Sequence, residues 1–141
     1  MIKKTFTIRT SLKEIPPVIK EILACLKDGG RDALHDIKLA VEEAIINAMK
    51  HGNKFNEKLY VVVDFEYDGN KVGIAVQDEG RGYDHRDVPD PTLEENILRG
   101  HGRGVFLIKK LMDEVHFNNS GNRLEMIKYI NKITLIILTM I

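Results

Sequence analysis

Two hydrophobic periods run along the chain and predict a domain of mixed strands and helices. Apolar residues at every second position indicate strands, whereas apolar residues three and four positions apart indicate amphipathic helices. The connection 68–70, Asp-Gly-Asn, is too short for a parallel crossover and predicts an antiparallel hairpin. The predicted strands are 3–9, 58–67, 72–76, 115–119 and 123–131, and the predicted helices are 16–27, 32–50 and 105–112.

A segment without periodicity lies between the hairpin and the last helix. Residues 79–104 hold five glycines and two prolines but no apolar repeat. A loop of this length inside a compact domain is usually a functional lid or a disordered segment. We expect 81–103 to be a mobile lid, because glycines lower the barrier to backbone rearrangement.

Length, charge and cysteine content narrow the class of protein. A chain of 141 residues and 16.1 kDa predicts one domain, 1–141. The formal net charge is 0, which disfavours a dedicated nucleic-acid binder. The single cysteine, Cys25, excludes an internal disulfide and is consistent with a reducing cytoplasm. No signal peptide or membrane-spanning stretch is recognisable, so we expect a cytoplasmic protein without a membrane partner.

Two polar residues lie at the edge of the apolar stripe of the second predicted helix. Glu43 and Asn47 are four positions apart, which places both on one helix face beside Ala44 and Ala48. Both could be ordinary solvated surface residues, the interpretation we adopt for Glu42. It is weaker for Asn47, since asparagine is a poor helix former and this one lies between apolar neighbours.

Two glycine-rich motifs flank the segment without periodicity. Residues 78–82, Asp-Glu-Gly-Arg-Gly, leave a strand and suit a backbone that approaches a ligand closely. Residues 100–104, Gly-His-Gly-Arg-Gly, run into a helix and could cradle an anion with backbone N–H groups. A plain turn and a pair of lid hinges are the alternatives for these two motifs.

The polar pair on the helix and the two glycine-rich motifs resemble, in their order and spacing, the motifs of an ATP-binding family. That family is shared by gyrase-type topoisomerases, heat-shock chaperones, sensor histidine kinases and mismatch-repair ATPases, the GHKL group. The segments 43–47, 78–82 and 100–104 look like its N box and two glycine boxes. Residues 40–52 and 103–115 are most similar to the bacterial anti-sigma factor serine/threonine kinases.

The resemblance implies a role for each matching residue on the helix and the strand. Asn47 would hold Mg²⁺ beside the phosphates of ATP, and Glu43 would be the general base for the attacking hydroxyl. Asp78 would accept a hydrogen bond from the adenine amino group. Gly80 and Gly82 would belong to the nucleotide site, and Gly82 would let the base lie against the backbone.

The second glycine box would complete the site on the phosphate side. Gly102 and Gly104 would wrap the phosphates, with Arg103 nearby. One motif departs from the family, since residues 120–123, Ser-Gly-Asn-Arg, stand where a threonine usually follows glycine near the adenine. The apolar tail 133–141 is a second departure, which we expect to pack as a terminal strand or helix, with a partner surface as the alternative.

Together, the elements and the resemblance predict a two-layer α/β sandwich. Its sheet is mixed but mostly antiparallel, and helices cover one face. The implied function is that of an ATP–Mg²⁺-dependent serine/threonine kinase that binds a sigma factor and phosphorylates an antagonist protein. A homodimer formed through the N-terminal sheet side is also expected. The alternatives are an ATP-binding regulatory module without turnover and the detached ATPase domain of a histidine kinase.

Overall fold

The computed structural model describes residues 1–27, 29–80, 103–130, 137 and 139–141. A 3-10 turn (Leu12–Glu14) precedes the first helix, and a π-type turn (Ala48–Gly52) extends the second. The strands are β1 (Ile2–Arg9), β2 (Tyr60–Tyr67), β3 (Lys71–Gln77), β4 (Glu114–Phe117) and β5 (Arg123–Tyr129), and the helices are α1 (Ile15–Cys25), α2 (Arg31–Asn47) and α3 (Arg103–Leu111).

The five strands form one sheet in the order β1-β2-β3-β5-β4. All four described pairings are antiparallel, which confirms the predicted mostly antiparallel sheet. The hairpin between β2 and β3 closes as predicted, because Asp68 Oδ1 accepts hydrogen bonds from the N–H groups of Asn70 and Lys71 at 2.8 and 2.9 Å. The strand β1 lies at one edge of the sheet and β4 at the other.

Helices and sheet enclose a single apolar core. Alternate residues of β2, among them Val61, Val63 and Phe65, are buried, as the period of two predicts. The opposite face of the sheet is polar, and there Arg123 pairs with Asp64 at 3.1 Å. The helices therefore cover one face of the sheet, and the predicted two-layer arrangement is confirmed. The buried stripe of α2 consists of Ile37, Ala40, Val41, Ala44 and Ile45.

The second helix differs from its prediction at its carboxyl end. We predicted helix to residue 50, but the regular α-helix ends at Asn47 and a π-type turn follows. The Asn53 N–H donates to the Ala48 carbonyl at 2.8 Å, five residues back. The wider turn reverses the chain at Lys54 and Phe55, which both have positive φ. It also brings Gly52 to the end of β3.

The described part of the tail also differs from its prediction. Residues 137, 139 and 140 are helical, but Ile137, Met140 and Ile141 are exposed, so the expected packing is not found there. In the parts of the chain that the structure describes, no helix is long and apolar enough to cross a membrane. That 1–141 form one domain stays a prediction.

Candidate functional site

A small cleft opens where α2 ends beside the end of β3. Asn47, Asp78 and Asn122 supply its polar side chains, and one alanine of α2 and one of the π-type turn keep the helix wall low. Apolar strand residues form the floor of the cleft, and the turn between β4 and β5 forms its polar end. The cleft therefore brings together the predicted N box and the first glycine box. Its lining residues are Ala44, Asn47, Ala48, Val76, Asp78, Phe117, Gly121, Asn122 and Leu124.

Asp78 carries a buried carboxylate that accepts a hydrogen bond from the backbone two residues ahead. Its side chain belongs to a residue only 8% exposed, and its N–H donates to the Asn122 carbonyl at 3.0 Å. The Gly80 N–H donates to Asp78 Oδ1 at 2.8 Å. Burial raises the pKa of the Asp78 carboxyl, because a low-dielectric site disfavours charge, and the Gly80 hydrogen bond opposes part of that rise.

Two glycines permit the close packing around Asp78. A β-carbon at Gly52 would lie 2.1 Å from Asp78 Cγ and 2.2 Å from Asp78 Oδ2. A β-carbon at Gly80 would lie 2.1 Å from the carbonyl oxygen of Gly52. No larger residue fits either position without displacing the carboxylate or the turn. Gly80 thus has a structural reason to be glycine.

Glu43 lies one helical turn before Asn47 and faces the beginning of α3. A β-carbon at Gly104 would lie 3.1 Å from Glu43 Oε2, so the carboxylate reaches the backbone of that helix. A negative group is stabilised near a helix amino terminus. The structure therefore places Glu43 and Gly104 together. Both residues are half-buried.

The chemistry of Asn47 fits a magnesium site of the kind that uses few protein ligands. The described residues contain no group of three or more His, Cys, Asp or Glu side chains arranged to hold a metal ion. Mg²⁺ commonly keeps several waters and takes phosphate oxygens as ligands, so one amide oxygen can suffice. Asn47 is half-buried on the cleft wall, and its carboxamide supplies such an oxygen.

Several predicted site residues fall outside the described part of the chain. Gly82, Gly102 and the expected lid 81–103 belong there, apart from the first residue of α3. Arg103 begins α3 by its backbone, whereas its side chain is not described. Their roles stay predictions.

Sequence reasoning missed three contributors to this region. Gly52 and Asn53 follow the predicted end of the second helix and have no predicted role in the site, although both contact the first glycine box. Asn122 was noted only as a departure from the family. Its carbonyl fixes Asp78, and its Nδ2 donates to the Asp78 carbonyl at 3.5 Å. A glycine followed by a polar residue directly after the N-box helix was the available signal.

The chain matches the family described as "Histidine kinase-like ATPase domain" over residues 8–128. This chain belongs to that family. The match spans the described cleft and both glycine boxes, so the predicted resemblance is confirmed. ATP is the nucleotide that this family uses.

Two relatives place the chain more narrowly. The serine-protein kinase RsbW of Staphylococcus aureus (strain JH9) is 38% identical over 109 residues, covering 72% of this chain and 69% of the relative. The RsbW of Staphylococcus epidermidis shows the same identity and coverage. The chain therefore belongs among the RsbW-type members of the ATPase family.

A solved structure supports the fold. The crystal structure of the RsbU and RsbW domains of Rv1364c from Mycobacterium tuberculosis superposes with a TM-score of 0.62 at 17% sequence identity. The match covers 92% of this chain and 31% of that longer chain. At this identity the likeness concerns the α/β architecture alone.

Proposed function

We propose that this RsbW-type chain is an ATP–Mg²⁺-dependent protein kinase that phosphorylates an antagonist protein on serine or threonine and binds a sigma factor. One observation carries the proposal. Asn47 and Asp78, from different motifs, line the same cleft, with Glu43 one helical turn away. The RsbW-type relatives support the kinase class.

Asp78 and its glycines would bind the base. A buried carboxylate accepts a hydrogen bond from the adenine amino group, whereas the guanine carbonyl at the same position would be repelled. Gly52 and Gly80 keep the carboxylate in place. The apolar residues Val76 and Leu124 would contact the ring. The cleft end formed by Gly121 and Asn122 would border the base.

Glu43 would act on the attacking hydroxyl. The hydroxyl oxygen of the protein substrate forms a bond to the γ-phosphorus while the bond from that phosphorus to the β–γ bridging oxygen breaks. Glu43 takes the hydroxyl proton, and ADP leaves with the bridging oxygen. Catalysis of this kind depends on positioning and charge neutralisation, and helices α2 and α3 contribute to the positioning by holding Glu43 beside Gly104.

The proposal assigns residues to Mg²⁺ and to the phosphates of ATP. Asn47 would hold Mg²⁺, which supplies charge neutralisation at the phosphates when bound. Gly102, Gly104 and Arg103 would surround those phosphates, and Gly82 would border the base.

A labelling experiment tests the proposed reaction. Proteins captured from a cell extract by the chain with ATP and Mg²⁺ are identified, purified and incubated with the chain and γ-labelled ATP. Label on serine or threonine of a captured antagonist supports the proposal. Label on histidine supports the detached histidine-kinase domain, and binding without transfer supports the regulatory module.

We also propose that the chain acts in the cytoplasm as a homodimer that uses its N-terminal sheet side. The strand β1 lies at a sheet edge, and a chain of zero net charge offers little repulsion to a second copy. Sedimentation of the full chain and of a chain ending at Lys132 tests this. Two monomers would contradict the dimer, and a dimer lost only on truncation would move the interface to the tail.

A further inference from the structure

Asn53 is the buried centre of a polar network between the two halves of the site. The residue is 1% exposed, and its carboxamide makes three hydrogen bonds. Nδ2 donates to Thr10 Oγ1 at 2.8 Å and to the Tyr60 carbonyl at 3.0 Å. Oδ1 accepts the Glu79 N–H at 2.9 Å. The side chain thus uses both donors and its acceptor.

The partners of Asn53 are also joined to one another. The Tyr60 N–H donates to Glu79 Oε2 at 2.6 Å, so Asn53, Tyr60 and Glu79 form a closed ring. Thr10 Oγ1 donates to the Leu59 carbonyl at 2.9 Å, which anchors the ring to the end of β1. Tyr60 and Glu79 are exposed, so the rigidity of the ring rests on the buried carboxamide of Asn53, whose hydrogen bonds satisfy both donors and the acceptor.

The network connects two elements that carry different parts of the site. Asn53 follows the π-type turn that extends α2, the helix of Asn47. Its own N–H is bound to the Ala48 carbonyl at 2.8 Å. Glu79 directly follows Asp78. One carboxamide therefore links the phosphate-side helix to the base-side carboxylate across 26 residues of sequence.

We propose that Asn53 is a positioning residue for base selection, an inference that rests on the proposed binding of adenine by Asp78. Its Oδ1 fixes the Glu79 N–H and holds Asp78 against Gly52. Loss of that acceptor frees the 78–80 backbone, and the carboxylate then no longer discriminates between an amino group and a carbonyl. The two donors of Asn53 hold the scaffold and do not set selectivity.

Two variants of Asn53 separate these functions. Asn53→Leu keeps the size but removes the acceptor together with both donors, whereas Asn53→Asp keeps an acceptor and removes only the donors, so the difference between the variants reports the acceptor. Calorimetry gives the ratio of the dissociation constants for ATP and GTP. We expect Asn53→Leu to reduce the preference for ATP by roughly tenfold, the effect of one lost buried hydrogen bond. Asn53→Asp should retain most of the preference despite lower stability.

Thr10→Val is the matched structural control. It removes the hydroxyl that accepts a hydrogen bond from Asn53 Nδ2, and it leaves the hydrogen bond from the Glu79 N–H to Asn53 Oδ1 intact. Thr10 is 2% exposed, so the substitution also disturbs a buried polar contact. We expect a lower melting temperature with an unchanged ATP-to-GTP ratio. An equal loss of preference in Thr10→Val and Asn53→Leu would overturn the positioning role.

A measurement on the unsubstituted chain keeps the inference testable if a variant does not fold. Hydrogen exchange in the nucleotide-free protein should show the Glu79 amide protected as strongly as amides of the central strand β3. Rapid exchange at Glu79 would overturn the inference. The proposed function fails separately, if the unsubstituted chain binds ATP no more tightly than GTP while the Glu79 amide remains protected.

Discussion

The backbone of Gly52 lies directly against the carboxylate of Asp78, and a β-carbon at position 52 would stand 2.1 Å from Asp78 Cγ. This contact joins the turn after the N-box helix to the first glycine box. The helix end and the Asp78 carboxylate therefore cannot move independently. A residue outside the three boxes of the site thus shapes the proposed nucleotide site.

Gly52→Ala should damage the site more than the fold. The added carbon must push the Asp78 carboxylate away, because it would lie 2.1 Å from Asp78 Cγ. We expect the free energy of unfolding to fall by about 1–3 kcal/mol, the usual cost of an extra carbon at a packed position. ATP binding measured by calorimetry should weaken, with a smaller preference over GTP.

Gly73→Ala is the matched control for that substitution. Gly73 lies on the open face of β3, and its β-carbon would meet only the flexible Glu66 side chain, at 3.3 Å from Cγ. We expect little change in stability or ATP binding. Normal ATP affinity and selectivity in Gly52→Ala would mean that the Asp78 loop adapts without loss.

Asn47→Ala should remove the magnesium dependence of nucleotide binding. No group of three acidic, histidine or cysteine side chains is available in the described residues to replace the lost amide oxygen. Calorimetry of ATP binding with Mg²⁺ and with excess chelator measures the effect. The unsubstituted chain should bind more tightly with Mg²⁺, and the variant should not. A variant that retains the difference would exclude Asn47 from the metal site.

Glu43→Gln should bind ATP but transfer phosphate slowly. Loss of a general base commonly lowers the rate by about 10²–10⁴-fold. Glutamine keeps the shape that lies beside Gly104, so the α2–α3 contact should persist. Glu42→Gln is the matched control, because it alters the neighbouring carboxylate of the same helix and should leave the rate unchanged. Equal rates for both variants would refute the assignment.

The local parts of the fold were predictable, whereas the contacts of the site were not. The hairpin depends on Asp68, whose carboxylate bonds only to residues two and three positions ahead. The Asp78–Gly52 contact and the Asn53–Glu79 hydrogen bond depend on the π-type turn. No hydrophobic period in the sequence predicts that turn. The motifs identified Asp78 and Asn47, because their residue types carry the chemistry.

Asp78→Asn should stabilise the fold at neutral pH while weakening ATP relative to GTP. Burial raises the pKa of the folded carboxyl above its ordinary value, so the folded state binds the proton more tightly than the unfolded state does. The contribution of this carboxyl to stability is therefore fully present below the unfolded pKa and is lost as the pH rises through the folded pKa. Denaturant unfolding should show the variant more stable at pH 7, with the difference shrinking on acidification.

Asp68→Asn provides a control of opposite sign. Backbone hydrogen bonds from Lys71 and then Asn70 lower the pKa of the Asp68 carboxyl. Its stabilising contribution is present above the unfolded pKa and is lost as the pH falls through the folded one. This variant should be less stable than the unsubstituted chain at pH 7, and the difference should disappear in acid. The same pH trend in both variants would contradict the burial argument for Asp78.

Lys128→Met should loosen the attachment of α3 to the domain. The Lys128 ammonium donates to the carbonyl of Leu111, the last residue of α3, at 2.7 Å, and to Asp36 Oδ2 on α2 at 3.2 Å. A cation at a helix carboxyl end is favourable, and its side chain here is only 17% exposed. We expect unfolding to require about 1.5–3 kcal/mol less free energy, the range for hydrogen bonds to charged groups. Asp36→Asn should cost less, because the ammonium keeps the Leu111 carbonyl, and Lys38→Met, at an exposed position of α2, should cost little. Equal losses in Lys128→Met and Lys38→Met would show that α3 is held by its apolar face alone.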